Sequence, residues 1–348
     1  MIAIGNRAVG RDSRPYLIAE MSGNHNQSLE RALAIVDAAA ASGADAIKLQ
    51  TYTADTMTLN SSAPGFVIED PDSLWAGRQL YELYEEAHTP WSWHKPIIDH
   101  AAALGLACFS TPFDETAVDF LEDLGVPAYK IASFELTDLP LIRRTARTGK
   151  PMIISTGMGS VAEIDEAVRT ARETGNEKII LLKCTSTYPA TPENTNISTI
   201  PNMRDAFRVE VGLSDHTLGC GVAVAAVGLG AVVVEKHFTL RRADGGVDSA
   251  FSMEPEEFRA LREETERAWQ AMGRVTYGGT KAEENSRMFR RSLYIASDMQ
   301  AGDILTRETL RVIRPGFGLA PRFYEEMLGR KVTKDVTAGT PMAWDLIN

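Results

Sequence analysis

Cysteine is scarce. Only Cys108, Cys184 and Cys220 occur in 348 residues, each in an apolar setting. That is too few for a disulfide framework or a structural zinc site. Long apolar runs are also missing: no stretch approaches the roughly 18 residues of a transmembrane helix. The opening MIAIGNRAVGRDSRPYLIAEM lacks the extended apolar segment of a signal peptide. The expected compartment is a reducing cytoplasm. Positive charge is in deficit, with Lys+Arg 36 against Asp+Glu 47, a net of −11. This argues against nonspecific binding to nucleic acid or to an anionic membrane. It leaves an anionic small substrate open, because a local group of lysines overrides the mean. The charge is uneven: residues 285–348 hold 10 Lys+Arg and 7 Asp+Glu, leaving −14 on residues 1–284. That asymmetry hints at a separate tail.

What is present is a repeat. Short β-rich apolar runs occur at 16–21, 45–50, 106–110, 128–133, 151–156, 178–185, 209–214 and 232–238. Helical periods such as 29–42, 116–125, 161–173 and 221–230 lie between them, and Gly or Pro often marks the return to the next run. Eight strands alternating with helices predict an α/β fold, a parallel (β/α)8 TIM barrel over residues 1–273, whose last helix is 254–272. Residues 51–79 are too long for a simple turn. Phe66, Val67, Ile68, Leu74 and Trp75 make a lid over the barrel mouth a better reading than a disordered insertion. Residues 274–289 read as a polar linker, and residues 290–348 as a small β-rich module broken by AGD and AGT turns.

In such barrels the active site lies at the C-terminal ends of the strands. Those ends carry Glu20; Lys48 and Gln50; Ser110 and Thr111; Lys130, Ser133 and Glu135; Ser155 and Thr156; Lys183 and Ser186; Ser214, Asp215 and His216; Glu235 and His237. A Lys or His in an apolar strand is costly unless paired, so their convergence is the strongest signal in the chain. His216 and His237 end neighbouring strands and suit a divalent metal with open positions; two hydrogen-bonded histidines without metal is the alternative. Period-two alternation places Glu235 with His237 and Lys236 on the opposite face. Glu235 then orients a neighbouring lysine or supports the site from behind. Lys48 and Lys130 suggest an anion, with Ser133, Ser155 and Ser214 as donors and the helix opened by STGMGS (155–160) offering free amides. Neutralisation of Glu20 and Glu135 by the two lysines is compatible with that reading. Glu20 and Glu135 are acid/base candidates. Arg314, in the Gly/Pro-shaped RPGFGLAP (314–321), is either a surface turn residue or a clamp for a neighbouring active site.

These residues sit in long ordered motifs. IAEMSGNHN (18–26), ADAIKLQTY (44–52), FSTPFD (109–114), YKIASFE (129–135), ISTGM (154–158), KCTSTYP (183–189), VGLSDHT (211–217) and EKHFT (235–239) resemble the sialic acid synthase family. The tail, RRSLYIASDMQAGD and RPGFGLAP, is similar to that family's antifreeze-like (SAF) domain. The resemblance implies condensation of phosphoenolpyruvate (PEP) with an amino-sugar aldehyde, giving a nonulosonic acid and phosphate. Segments 51–60, 74–94 and 182–189 lie nearest the branch whose sugar is a 2,4-diacetamido-2,4,6-trideoxy-L-altrose. N-acetylmannosamine, or the diacetamido sugar leading to legionaminic acid, is the alternative within the family.

The resemblance further implies a divalent ion on His216 and His237, Mn2+ first, with Co2+ and Mg2+ as alternatives. PEP would meet Lys48, Thr111, Lys130, Ser133, Ser155, Ser186 and Ser214. Glu20 and Glu135 would handle protons and water, and Gln50, Tyr188 and Asp248 would face the sugar. Arg314 would reach the sugar of a two-fold partner, so the resemblance implies a homodimer. Ser186 departs from the family, which tends to carry Asn there; Lys183, where many relatives have His, would compensate. Outside the family, two readings compete: a metal-dependent aldolase using pyruvate, which releases no phosphate, and a non-catalytic sugar-binding barrel.

Overall fold

A computed structural model describes every residue except Met1 and Asp72. The chain divides into two compact units, Met1–Gly273 and Arg274–Asn348. The first begins with a hairpin that the periodicity reading did not foresee, β1 (Ile2–Ile4) and β2 (Arg7–Val9). Its signal was present in the two-residue turn Gly5–Asn6, with Gly5 at φ +58°. Strands of three residues are too short to show alternation. Ile4 and Val9 of the hairpin are buried in the barrel's core.

Eight parallel strands follow and close on themselves: β3 (Tyr16–Glu20), β4 (Ala46–Thr51), β5 (Ala107–Pro112), β6 (Tyr129–Ile131), β7 (Met152–Ser155), β8 (Ile179–Cys184), β9 (Glu210–Ser214) and β10 (Val233–His237), with β10 paired to β3. All eight fall on the runs expected from sequence. Their near-continuous burial follows from being covered outside by helices and inside by one another's side chains. The helices include Leu29–Ala41, Glu115–Asp123 and Val161–Arg172, whose N-caps Ser28, Asp114 and Ser160 accept backbone N–H groups of the first turn. Pro255–Met272 completes the ring. Among the described residues, no helix is long and apolar enough to cross a membrane.

Parallel register sets the site. Glu20 lies beside Lys48 across β3 and β4, Gln50 beside Thr111, Glu235 beside Ser214, and His237 beside Glu20 at the closing seam. Gly212 in β9 has no room for a side chain: a Cβ there would press on the Val233 carbonyl of β10 and on Leu182 of β8.

At the other end of the barrel, Asp45 ties three parts of the unit together. It accepts the Leu17 N–H at 2.8 Å and pairs with Arg7 of the hairpin, Arg262 of the last helix, and Arg14 at 3.4 Å. Arg262 and Asp45 are both nearly buried, with side chains 8% and 6% exposed. Removing one partner of such a pair leaves a desolvated charge, a loss of about 3–5 kcal/mol. Asp45→Ala is therefore expected to lower the free energy of unfolding by that amount, read as a lower urea midpoint at unchanged slope; an unchanged midpoint would show the hub to be energetically idle.

Residues 51–79 form ordered structure rather than a featureless loop, although position 72 lies outside the described residues. A short helix, Ala54–Met57, is closed by a Thr53 capping box. Beyond it Val67 bridges Gln79 in a narrow antiparallel turn.

The second unit pairs β11 (Ser292–Ile295) with β12 (Leu310–Ile313) around Leu293, Ile295, Leu305, Leu310, Val332 and Met342. Residues 274–289 are exposed, with only the short turns Lys281–Glu283 and Asn285–Phe289.

Candidate active site

Four charged side chains form a buried layer at the C-terminal ends of the strands. Lys48 Nζ lies 2.8 Å from Glu20 Oε2, an ionic contact outside hydrogen-bond geometry, and 3.1 Å from Glu235 Oε2. Lys130 Nζ lies 3.4 Å from Glu235 Oε1, which also accepts the Ser214 hydroxyl at 3.0 Å. Both lysines are thus balanced internally, as one reading of the sequence held. The partner of Lys130, however, is Glu235 and not Glu135. Burial alone would raise Glu235, but Lys130 and Lys48 outweigh it and hold the carboxyl at about 2. Burial lifts Glu20 to about 7 against the pull of Lys48. Burial likewise raises Glu135 to about 7, and its Oε2 is buried with no hydrogen-bond partner in the protein. Glu20 and Glu135 can therefore exchange protons near neutrality, whereas Glu235 stays a fixed anion between two ammonium groups.

A cavity of about 60 Å3 opens on this layer, and Glu20, Lys48, Lys130, Glu235, His216 and His237 all line it. Gln50, Thr111, Ser133, Ser155, Ser214 and Tyr188 line it as well. Ser155 Oγ is buried without a partner, and Ser133 and Ser186 share a hydrogen bond at 2.7 Å. Gly157 makes that approach feasible: a Cβ there would collide with both serines. Buried donors with nothing in the protein to bind are what an anion-receiving site requires.

In the helix after STGMGS a reciprocal capping box engages the amides of Ser160 and Glu163 but leaves those of Val161 and Ala162 without a partner in the helix. One expectation fails here. Lys183 does not line the cavity and donates instead to the Cys184 carbonyl at 2.8 Å; strand alternation puts Cys184, not Lys183, on the inner face. Asp215 is likewise engaged elsewhere, 3.0 Å from Lys236 on the outer face. A larger cavity of about 1200 Å3 lies at the opposite end of the barrel, beside Arg11, Arg204 and Glu210, away from every strand C-terminus.

The two imidazoles stand with ring centroids 5.4 Å apart. His216 Nδ1 donates to the Thr185 carbonyl at 2.9 Å; burial favours the neutral ring, but Cys184 and that carbonyl outweigh it and raise His216 above the usual histidine range. His237 is held neutral by burial, well below the usual histidine range, and its Nδ1 has no partner in the protein. His237 thus has a lone pair to give at once, and His216 gives one on losing its proton, a loss that a divalent cation favours. Among the described residues, no group of three or more His, Cys, Asp or Glu could hold a metal, so the chain supplies at most an open pair of ligands. Tyr188 packs on His216 at 4.4 Å, and Phe251 on His237 at 4.9 Å.

On the opposite side of the mouth the site is polar. Gln50 Nε2 donates to Glu20 Oε1 at 3.0 Å and to Ser22 Oγ at 3.1 Å; Ser22 in turn donates to the Asp248 carboxylate. Ser22, at φ +47°, is a residue the sequence reading missed, since nothing in SGN signals a left-handed serine. Cys184 was also missed, although alternation along β8 points it inward. Arg314 belongs to the second unit, where it is exposed and makes no ion pair among the described residues. Its loop is pinned: Ser292 Oγ donates to the Pro315 carbonyl at 2.7 Å and accepts the Gly318 N–H at 2.9 Å.

Two buried ammonium groups lining a small cavity at the C-terminal end of a parallel barrel define an enzyme of small anionic substrates. Comparison with known proteins narrows that class. The chain belongs to the NeuB family, which it matches over residues 35–277, and it carries a SAF domain at 290–348. It is 44% identical to the pseudaminic acid synthase of Campylobacter jejuni over 97% of both chains. It is 37% identical to the N,N'-diacetyllegionaminic acid synthase of the same species, over 92% of this chain and 97% of that one. The solved N-acetylneuraminic acid synthetase of Leptospira borgpetersenii superposes with a TM-score of 0.74 at 29% identity, covering 82% of this chain and 94% of that one.

Proposed function

We propose that this chain is a pseudaminic acid synthase. It joins PEP to 2,4-diacetamido-2,4,6-trideoxy-L-altrose and releases phosphate by C–O cleavage. The carrying observation is the 44% identity to a pseudaminic acid synthase across 97% of both chains, against 37% to the legionaminic relative.

The residues fit that chemistry. Lys48 and Lys130 receive the carboxylate and phosphate of PEP, and Thr111, Ser133, Ser155, Ser186 and Ser214 add hydroxyl donors. PEP carbon 3 bonds to the aldehyde carbon, water adds at carbon 2, and the tetrahedral intermediate expels phosphate. Glu20 and Glu135, both poised near neutrality, hold the water and move its proton. Gln50, Tyr188 and Asp248 orient the sugar. His216 and His237 would hold a divalent ion, Mn2+ foremost with Co2+ or Mg2+ as substitutes; when bound it acts as a Lewis acid toward the aldehyde. Arg314 of the partner subunit completes the sugar site in a homodimer. The enzyme works in the cytoplasm, where its three free cysteines stay reduced.

The test is phosphate release from PEP with Mn2+ and three aldehydes: the altrose sugar, its legionaminic counterpart and N-acetylmannosamine. Turnover with the first alone is expected. It should vanish in excess chelator and in a folded His237→Ala variant. Phosphate release with none of the sugars would overturn the proposal, preference for another sugar would reassign the branch, and full activity in chelator would remove the metal.

A further inference from the structure

One wall of the mouth is made of rings. Tyr188 lies against His216 with centroids 4.4 Å apart, and Phe251 lies 5.3 Å from Tyr188. One ring farther from the histidines, at 6.1 Å from Tyr188, stands Trp75 of the lid. The only polar atom of its indole is already used: Nε1 donates to the Val247 carbonyl at 3.0 Å. That bond fastens the lid to the loop carrying Asp248, and it leaves the ring with only apolar surface to offer. Trp75 is half-buried while its neighbours Leu74 and Ala76 are exposed. The lid thus sets a large apolar ring beside Tyr188, which lines the cavity.

We propose that Trp75 is a specificity-determining residue whose indole face, beside Tyr188, receives the C6 end of the sugar and selects a 6-deoxy aldehyde over its 6-hydroxy counterpart. The inference rests on the function proposed above, in which the histidines mark the aldehyde end. A chain extending from them along Tyr188 brings its far end to Trp75. Gln50, Ser22 and Asp248 meanwhile meet its polar edge. A methyl group against the indole gains contact, whereas a hydroxymethyl group there brings a hydroxyl that the indole, its Nε1 already engaged, cannot pair. Apolar pockets discriminate differences of this size by roughly ten- to hundredfold.

The experiment measures kcat/KM for 2,4-diacetamido-2,4,6-trideoxy-L-altrose and for the same sugar bearing a 6-hydroxyl, with wild type, Trp75→Ala and Trp75→Phe. Wild type is expected to prefer the 6-deoxy sugar about tenfold or more. Trp75→Ala should lose that preference through a raised KM for the 6-deoxy sugar, with the KM for PEP unchanged, and Trp75→Phe should recover part of it. Unchanged melting temperatures certify the fold. An equal loss on both sugars, or a preference that survives in Trp75→Ala, would overturn the role of Trp75 and leave the proposed function standing. No turnover of either sugar by wild type would remove both.

Discussion

Replacing Lys130 with Ala is expected to raise the KM for PEP by roughly ten- to hundredfold while the KM for the sugar stays within about twofold. The magnitude follows from a charge-assisted hydrogen bond worth about 1.5–3 kcal/mol. Lys48→Ala should weaken PEP use to a similar degree and also destabilise the fold, because the two lysines are not equivalent. Lys48 alone contacts both Glu20 and Glu235, at 2.8 and 3.1 Å, so its removal leaves Glu20 without a cation and Glu235 with only Lys130. Steady-state kinetics paired with urea unfolding separates the two effects. If PEP affinity is unchanged in both variants, the lysines serve only to neutralise the carboxylates.

The second large effect concerns Arg314. Arg314→Ala and His237→Ala homodimers are each expected to be nearly inactive. Mixed dimers should regain activity up to half of wild type, because one of their two sites receives both defects and the other neither. A chain ending near residue 280 should keep its barrel and lose most turnover. The loop is suited to such a role: it is fixed by Ser292 at both Pro315 and Gly318, and Arg314 makes no ion pair among the described residues. Verified mixed dimers without recovery would show that Arg314 acts within its own subunit or not at all.

Much of this architecture was legible because strands buried on both faces leave long apolar runs, and a Lys, Glu or His within such a run stands out. The period of two located Glu235 and His237 on one face and Lys236 on the other, where Lys236 indeed meets Asp215. It served less well at Ser133 and Glu135, which lie on a 3-10 turn beyond the short β6 rather than on the strand. Contacts between distant segments were not legible at all. That Lys130 takes Glu235 instead of Glu135, that Ser22 links Gln50 to Asp248, and that Trp75 bonds to Val247 depend on how loops fold back over the barrel. Ser160 and Glu163 were readable as a capping box from their spacing alone, a local signal that accounts for two of the amides at that helix end.

Gly212 has a bearing on the histidine pair. Because a side chain at that position would push β9 away from β10, the strand that leads into His216 and the strand that ends at His237 keep a separation set by main chain against main chain. In the language of coordination chemistry, the metal proposed for the two imidazoles would meet a chelate whose bite is set by the sheet more than by ring rotamers. Rotation of either ring can aim its nitrogen, but the jaw itself neither opens nor narrows.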